Sequence, residues 1–159
     1  METYHSKKAC ELFAGGYNCA QSVFAAFTDV TGMDKETALK LSSSFGGGMG
    51  RLREVCGACS AMFMVLGMLY GTGEDFGYED KADHYKRIQA AAEQFKERHG
   101  TIVCRELLQE LKATSDPNPE RRTEQYYKVR PCIRFVETAS EILDKYIAEN
   151  PIDGSASSK

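Results

Sequence analysis

Val55-Cys-Gly-Ala-Cys-Ser-Ala-Met-Phe-Met-Val-Leu-Gly-Met-Leu-Tyr-Gly-Thr-Gly73 runs for 19 residues without a charge. That is close to the length needed to span a bilayer. It also carries four glycines and two cysteines, and short polar stretches follow it. A helix that is apolar all round sits in a soluble core as readily as in a membrane. The stretch therefore predicts a buried central helix from Val55 to about Tyr70, with no membrane insertion.

Around it, glycine and proline cut the chain into about seven segments whose apolar residues recur at helical spacing, with no alternating strand pattern. A short helix is expected over residues 3–13, stopped by Gly15-Gly16. A second starts at the cap Asn18 and runs to about Val30. Asp34 caps a third, on which Glu36 and Lys40 stand one turn apart. This helix ends at the glycine loop Phe45-Gly-Gly-Gly-Met-Gly50.

Beyond the central helix, Tyr78, Ala82, Tyr85, Ile88, Ala92 and Phe95 define one face of a long amphipathic helix closed by His99-Gly100. Thr101 reads as the cap of a helix over 102–111, and residues 113–120 read as a loop. Pro131 suits the first position of a last helix carrying Ile133, Val136, Leu143, Tyr146 and Ile147 on one side. The expectation is an all-α, compact bundle of about six to seven helices. It forms a single domain over residues 1–152, and residues 153–159 form a flexible tail.

A chain of 159 residues is long enough to bury a core without disulfide staples. Its net charge of -3, with bases scattered among acids, offers no surface for nucleic acid. The start, Met-Glu-Thr-Tyr-His-Ser-Lys-Lys, lacks the apolar run of a secretory signal, so a reducing cytoplasm is inferred. In that compartment six cysteines read as redox thiols or metal ligands before structural disulfides.

Cys19, Cys56, Cys104 and Cys132 each fall in the first turn of an expected helix. Free backbone N–H groups and the positive end of the dipole gather there and favour thiolate, so lowered thiol pKa values are expected. The alternative for any one of them is a small buried apolar side chain. Cys56-Gly-Ala-Cys59 adds a C-x-x-C pair able to join a nucleophilic and a resolving thiol, without the strand-helix setting of a thioredoxin fold. Cys10, with no cap or glycine beside it, reads as core or surface spacer.

The glycine loop lacks the Gly-Lys-Ser/Thr ending of a phosphate-binding loop. Its glycines are expected to let the backbone pass close to Cys56. Arg51 and Arg53 are candidates for stabilising a nearby thiolate, weighed against ordinary solvated arginines. His5 stands near a mobile end, His84 lies within the amphipathic helix, and His99 sits at a helix C-terminus that favours its charged form. None is assigned to the site.

With these residues in view, the chain resembles the redox-active family named for its cysteine pattern, C_GCAxxG_C_C. The likeness runs from about Gly16 to Ile142. It is most specific in Phe45-Gly-Gly-Gly-Met-Gly50, Glu54-Val-Cys-Gly-Ala58, Gly67 and Tyr70-Gly71. The resemblance carries over the family's four cysteines as Cys19 in Tyr17-Asn-Cys-Ala20, Cys56 in Cys-Gly-Ala, Cys104 in Cys-Arg-Glu-Leu and Cys132 in Pro-Cys-Ile. Ala61 stands where the third glycine of the central motif is expected, and Cys59 is an additional thiol.

Two chemistries follow for the same residues. In the first, the protein is a thiol-based redox protein, an oxidoreductase, with Cys56 as reactive thiolate and Cys59 or another of the set resolving it; it needs no cofactor. In the second, Cys19, Cys56, Cys104 and Cys132 ligate a metal or an iron-sulfur cluster. Their separations of 37, 48 and 28 residues are unlike compact ferredoxin or zinc-ribbon runs. A helical interaction module with incidental cysteines is the third option. The redox partner is unknown, and apolar excess on several helices permits a homodimer.

Overall fold

A computed structural model describes residues 1–152, and the expected tail at 153–159 lies outside the described residues. Helices of eight or more residues are α1 (Tyr4–Ala14), α2 (Cys19–Ala26), α4 (Lys35–Ser42), α6 (Gly57–Tyr70), α7 (Tyr78–His99) and α10 (Cys132–Glu149). Single turns fill the gaps as α3 (Thr28–Thr31), α5 (Gly46–Met49) and α8 (Cys104–Leu107), with α9 (Glu124–Val129) before the last helix. The fold is all-α: among the described residues the only extended pairing is an isolated antiparallel bridge between Val55 and Val103.

The caps were legible. Thr3 and Asn18 close capping boxes with Ser6 and Gln21, and Asp34 accepts from the Thr37 amide. Glu36 and Lys40 pair at 3.3 Å on the outside of α4. Each cap satisfies a backbone donor that the helix cannot satisfy itself.

The chargeless stretch is indeed a core helix. Every residue of α6 from Gly57 to Met62 is buried, and Val65 and Leu66 follow. α2, α10 and α7 pack around it. Phe13, Phe24, Phe27, Phe95, Met62 and Leu143 fill the interior. Among the described residues no helix is long and apolar enough to cross a membrane.

Several boundaries differ from expectation. The second helix breaks after Ala26, where the Thr28 hydroxyl donates to the Ala25 carbonyl and Phe27 is buried outside helical geometry. The last helix starts one residue later than expected, with Pro131 as its N-cap. α9 was not anticipated, although Thr123 caps it through the Tyr126 amide.

The expected helix over 102–111 is instead a short extended segment, the single turn α8 and a 3-10 turn at Gln109–Leu111. Here tertiary pairing overrides local preference. Cys56 N–H donates to the Ile102 carbonyl at 2.7 Å, and Cys104 N–H donates to the Glu54 carbonyl at 2.6 Å. Those bonds hold residues 102–104 extended. Thr101 accepts from the Val103 amide and caps no helix.

The apolar face read on α7 is buried only in its second half. Ala91, Ala92 and Phe95 join the core, whereas Tyr78 and Tyr85 are exposed. Ile133 on α10 is likewise at the surface.

Candidate functional site

The bridge at Val55 and Val103 sets the geometry of the site. Side chains alternate across an extended segment, so residues on either side of the bridged pair share one face. Cys56 and Cys104 are those residues, and both line a cavity of about 290 Å³. Cys19 and Cys132, the first residues of α2 and α10, line the same cavity from other directions. Four cysteines dispersed over the sequence therefore converge on one space.

Each sits where a helix begins, as expected: Cys56 is the N-cap of α6 and Cys104 the first residue of α8. Cys59, buried one turn into α6 behind Cys56, does not line the cavity. All six cysteines are free thiols. Cys10 is remote from the site, half-buried, with burial and nearby glutamates raising its pKa to about 11.

Gly46, Gly47 and Gly50 of the glycine loop line the cavity. Gly48 adopts a left-handed φ of 70°, and a Cβ there would stand 2.6 Å from Cβ of Cys104. A Cβ on Gly57 would stand 2.5 Å from the Cys19 sulfur. The loop thus gives room to Cys104, while the glycine after Cys56 gives room to Cys19. Met49, Arg51 and Arg53 also hold left-handed backbone, with φ of 67°, 66° and 61°. Such conformations cost energy for residues with a Cβ and collect at functional sites.

This strained turn aims arginines inward. Arg53 is 5% exposed, and its Nη1 donates to the Cys104 sulfur at 3.7 Å while Nε donates to the Thr114 carbonyl at 2.9 Å. Arg51 donates through Nε to the Asp116 carbonyl. The segment between Pro117 and Arg130, which runs on past the loop expected over 113–120, supplies Arg122 and Arg130. The Arg122 guanidinium stacks between Phe13 and Tyr126, 4.5 and 4.7 Å from their ring centres. Buried Arg130 pairs with Glu120. Helical periodicity carries no signal for these side chains; the one local hint was the run of arginine and tyrosine over 121–130.

The expectation of lowered thiol pKa values is corrected. Burial pushes the Cys19 thiol up to about 12, and the nearby Cys56 and Cys104 sulfurs add to it; backbone amides of Gly47 and Ala20 oppose the rise only in part. Interaction with the Cys59 thiol and burial hold Cys56 well above the usual thiol range. Burial raises Cys132 strongly as well. Cys104 is raised by burial, with the Arg53 hydrogen bond and charge pulling the other way. Loss of water around a thiolate outweighs the amides of a helix start.

The histidines stay outside the site, with two corrections. His5 is buried, held at 2.5 Å by Asp144 through Nδ1 and at 3.1 Å by Asp29 through Nε2, and stacked on Phe27. It is no mobile end. Burial lowers the His99 pKa, and Arg98 and Arg134 add to that, so this ring is not held charged by its helix terminus.

Residues 17–146 match the family model described as "Putative redox-active protein (C_GCAxxG_C_C)". The chain belongs to this family. Comparisons with curated proteins and with solved structures found no match. The match takes in Cys19, Cys56, Cys104 and Cys132, together with Arg53 and Arg122. Among the described residues, no three Cys, His, Asp or Glu side chains stand close enough together to hold a metal ion.

Proposed function

We propose that this member of the C_GCAxxG_C_C family is a thiol redox protein of the reducing cytoplasm. In this reading Cys19, Cys56, Cys104 and Cys132 pass between dithiol and disulfide at one cavity. The observation that carries it is the convergence on that cavity of four cysteines far apart in sequence. The Arg53 contact favours Cys104 as the thiol that ionises first, in place of the Cys56 expected from the C-x-x-C motif. Cys56, on the same face of the bridge, is the neighbour that resolves, with Cys59 behind it.

The chemistry has a physical logic in a buried setting. Two thiols in low dielectric resist ionisation, and a disulfide carries no charge that must be solvated. Oxidation sends two electrons to an acceptor disulfide, and the two thiol protons end on the acceptor's released thiols.

Equilibrating the reduced protein with glutathione buffers, trapping by alkylation and mapping peptides by mass spectrometry tests this. The expected result is an intramolecular disulfide among these cysteines within about −300 to −150 mV. Thiols that stay reduced across that range would overturn it. The same convergence favours a second reading, cysteine ligation of a metal or iron-sulfur cluster, which requires the sulfurs to draw closer together. Stoichiometric iron and sulfide after anaerobic purification, with a visible spectrum, would decide for the cluster.

A further inference from the structure

Arg53 and Arg122 line the thiol cavity, and each keeps one buried guanidinium nitrogen without a hydrogen-bond partner among the described residues: Nη2 of Arg53 and Nη1 of Arg122. A buried donor left unpaired is uncommon and costly, and a guanidinium adds a full charge to that cost. The two come from segments about 70 residues apart in sequence. Two other nitrogens of Arg53 and one of Arg122 are occupied. Arg53 is held by Thr114 and Cys104, and Arg122 donates through Nη2 to the Tyr17 carbonyl at 3.2 Å. Both guanidinium planes are thus fixed before anything binds.

The surrounding charges do not cancel them. Arg51 and Arg130 also line the cavity, while the acid lining it is Glu120, already paired with Arg130. Asp116, near Arg51, is exposed and does not line the cavity. The thiols are held protonated by burial and supply no negative charge at rest.

We infer that the cavity is an oxyanion site, in which Arg53 and Arg122 donate their free N–H groups to the carboxylate or other oxyanionic group of a small molecule lying against the four thiols. Fixed donors in a water-poor space favour planar oxyanions, and guanidinium groups match that geometry. A ligand seated there has its body within reach of Cys104. Taken with the thiol redox reading on which it builds, this makes the substrate class small anionic disulfides or other anionic oxidants.

Calorimetric titration of the reduced full-length chain tests the site without any redox step. The probes are thiodiglycolate, its neutral diol counterpart thiodiglycol, and inorganic sulfate, at fixed ionic strength. Thiodiglycolate is expected to bind at least tenfold more tightly than the diol. Arg122→Gln is expected to lower that affinity at least tenfold with unchanged circular dichroism, and Arg53→Met should do the same where it folds. Sulfate binding as tightly as thiodiglycolate, with the same arginine dependence, supports the site and assigns it to a free oxyanion. Equal binding of diol and dicarboxylate, absence of binding by both anions, or an affinity untouched by Arg122→Gln overturns the inference. Failure of the glutathione titration removes the redox reading and leaves these binding results standing, so the two fail separately.

Discussion

Arg53 donates through Nη1 to the Cys104 sulfur at 3.7 Å, across a short antiparallel pairing in which the Arg105 amide also donates to the Arg53 carbonyl. The backbone contact fixes the register and the side-chain contact biases the thiol. Arg53 lowers the Cys104 pKa against a larger rise from burial. Replacing it should therefore remove the larger of the two arginine contributions that help this thiol ionise, the other being the charge of Arg130.

Arg53→Met is expected to slow iodoacetamide labelling of Cys104 at pH 9 by about tenfold, the effect of one pKa unit on the thiolate fraction. Arg53→Lys, which keeps the charge, should recover part of it. Peptide-resolved mass spectrometry reads both. Unchanged labelling in the Met variant would show that the guanidinium does not tune this thiol.

Gly57→Ala tests the close approach of α6 to Cys19. In an ordinary helix the change would gain up to about 1 kcal/mol. Here the added Cβ would meet the Cys19 sulfur at 2.5 Å and the Phe45 carbonyl at 2.7 Å. Overpacking of that kind costs roughly 1–3 kcal/mol, so the sum should be a net loss of about 1 kcal/mol in urea unfolding. A stabilised variant would mean that the sulfur has room to move away.

Thiol labelling of the native protein should stay far from its plateau up to high pH. A Cys19 pKa of about 12 against an ordinary 9.0 leaves about a thousandfold less thiolate at pH 8 than in the unfolded chain. Its labelling rate should climb about tenfold per pH unit from pH 8 to 11, while the urea-unfolded protein levels off near pH 9. The raised pKa also predicts loss of folding stability above pH 9, because the unfolded chain then releases a proton that the folded chain keeps. A native plateau near pH 8 would contradict the burial argument.

His5 and Asp144 make stability depend on pH at the other end of the molecule. Burial alone would lower the His5 pKa, but hydrogen bonds and charges of Asp144 and Asp29 raise it overall. Burial opposes ionisation of Asp144 too, and the His5 contact lowers its pKa overall. The histidine contribution is complete below its unfolded value near 6.5 and fades as pH rises through the folded value. The aspartate contribution is complete above its unfolded value near 3.8 and fades as pH falls through the folded value. Both are therefore present between about pH 4 and 6.5. His5→Leu should cost about 2 kcal/mol at pH 5.5 and less at pH 8.5, read from urea midpoints. A deficit that does not change with pH would assign the loss to packing on Phe27.

The sequence by itself determined the long helices and most of their starts. Helical periodicity, capping and glycine stops act within three or four residues, so Thr3, Asn18 and Asp34 could be read as caps, and the chargeless Val55–Tyr70 stretch as a core helix. The start positions of Cys19, Cys56 and Cys132 followed from the same local rules, whereas the turn at Cys104 begins where the tertiary pairing ends. Only the tertiary structure decided that these starts face one cavity, because that depends on pairing residues 54–56 with 102–104. The same holds for the extended segment that displaced the helix expected after Thr101. It also reversed the expected direction of the thiol pKa shifts. A helix start acts on its own cysteine, whereas desolvation adds up the whole neighbourhood, and segments as distant as Arg122 and Arg53 build that neighbourhood.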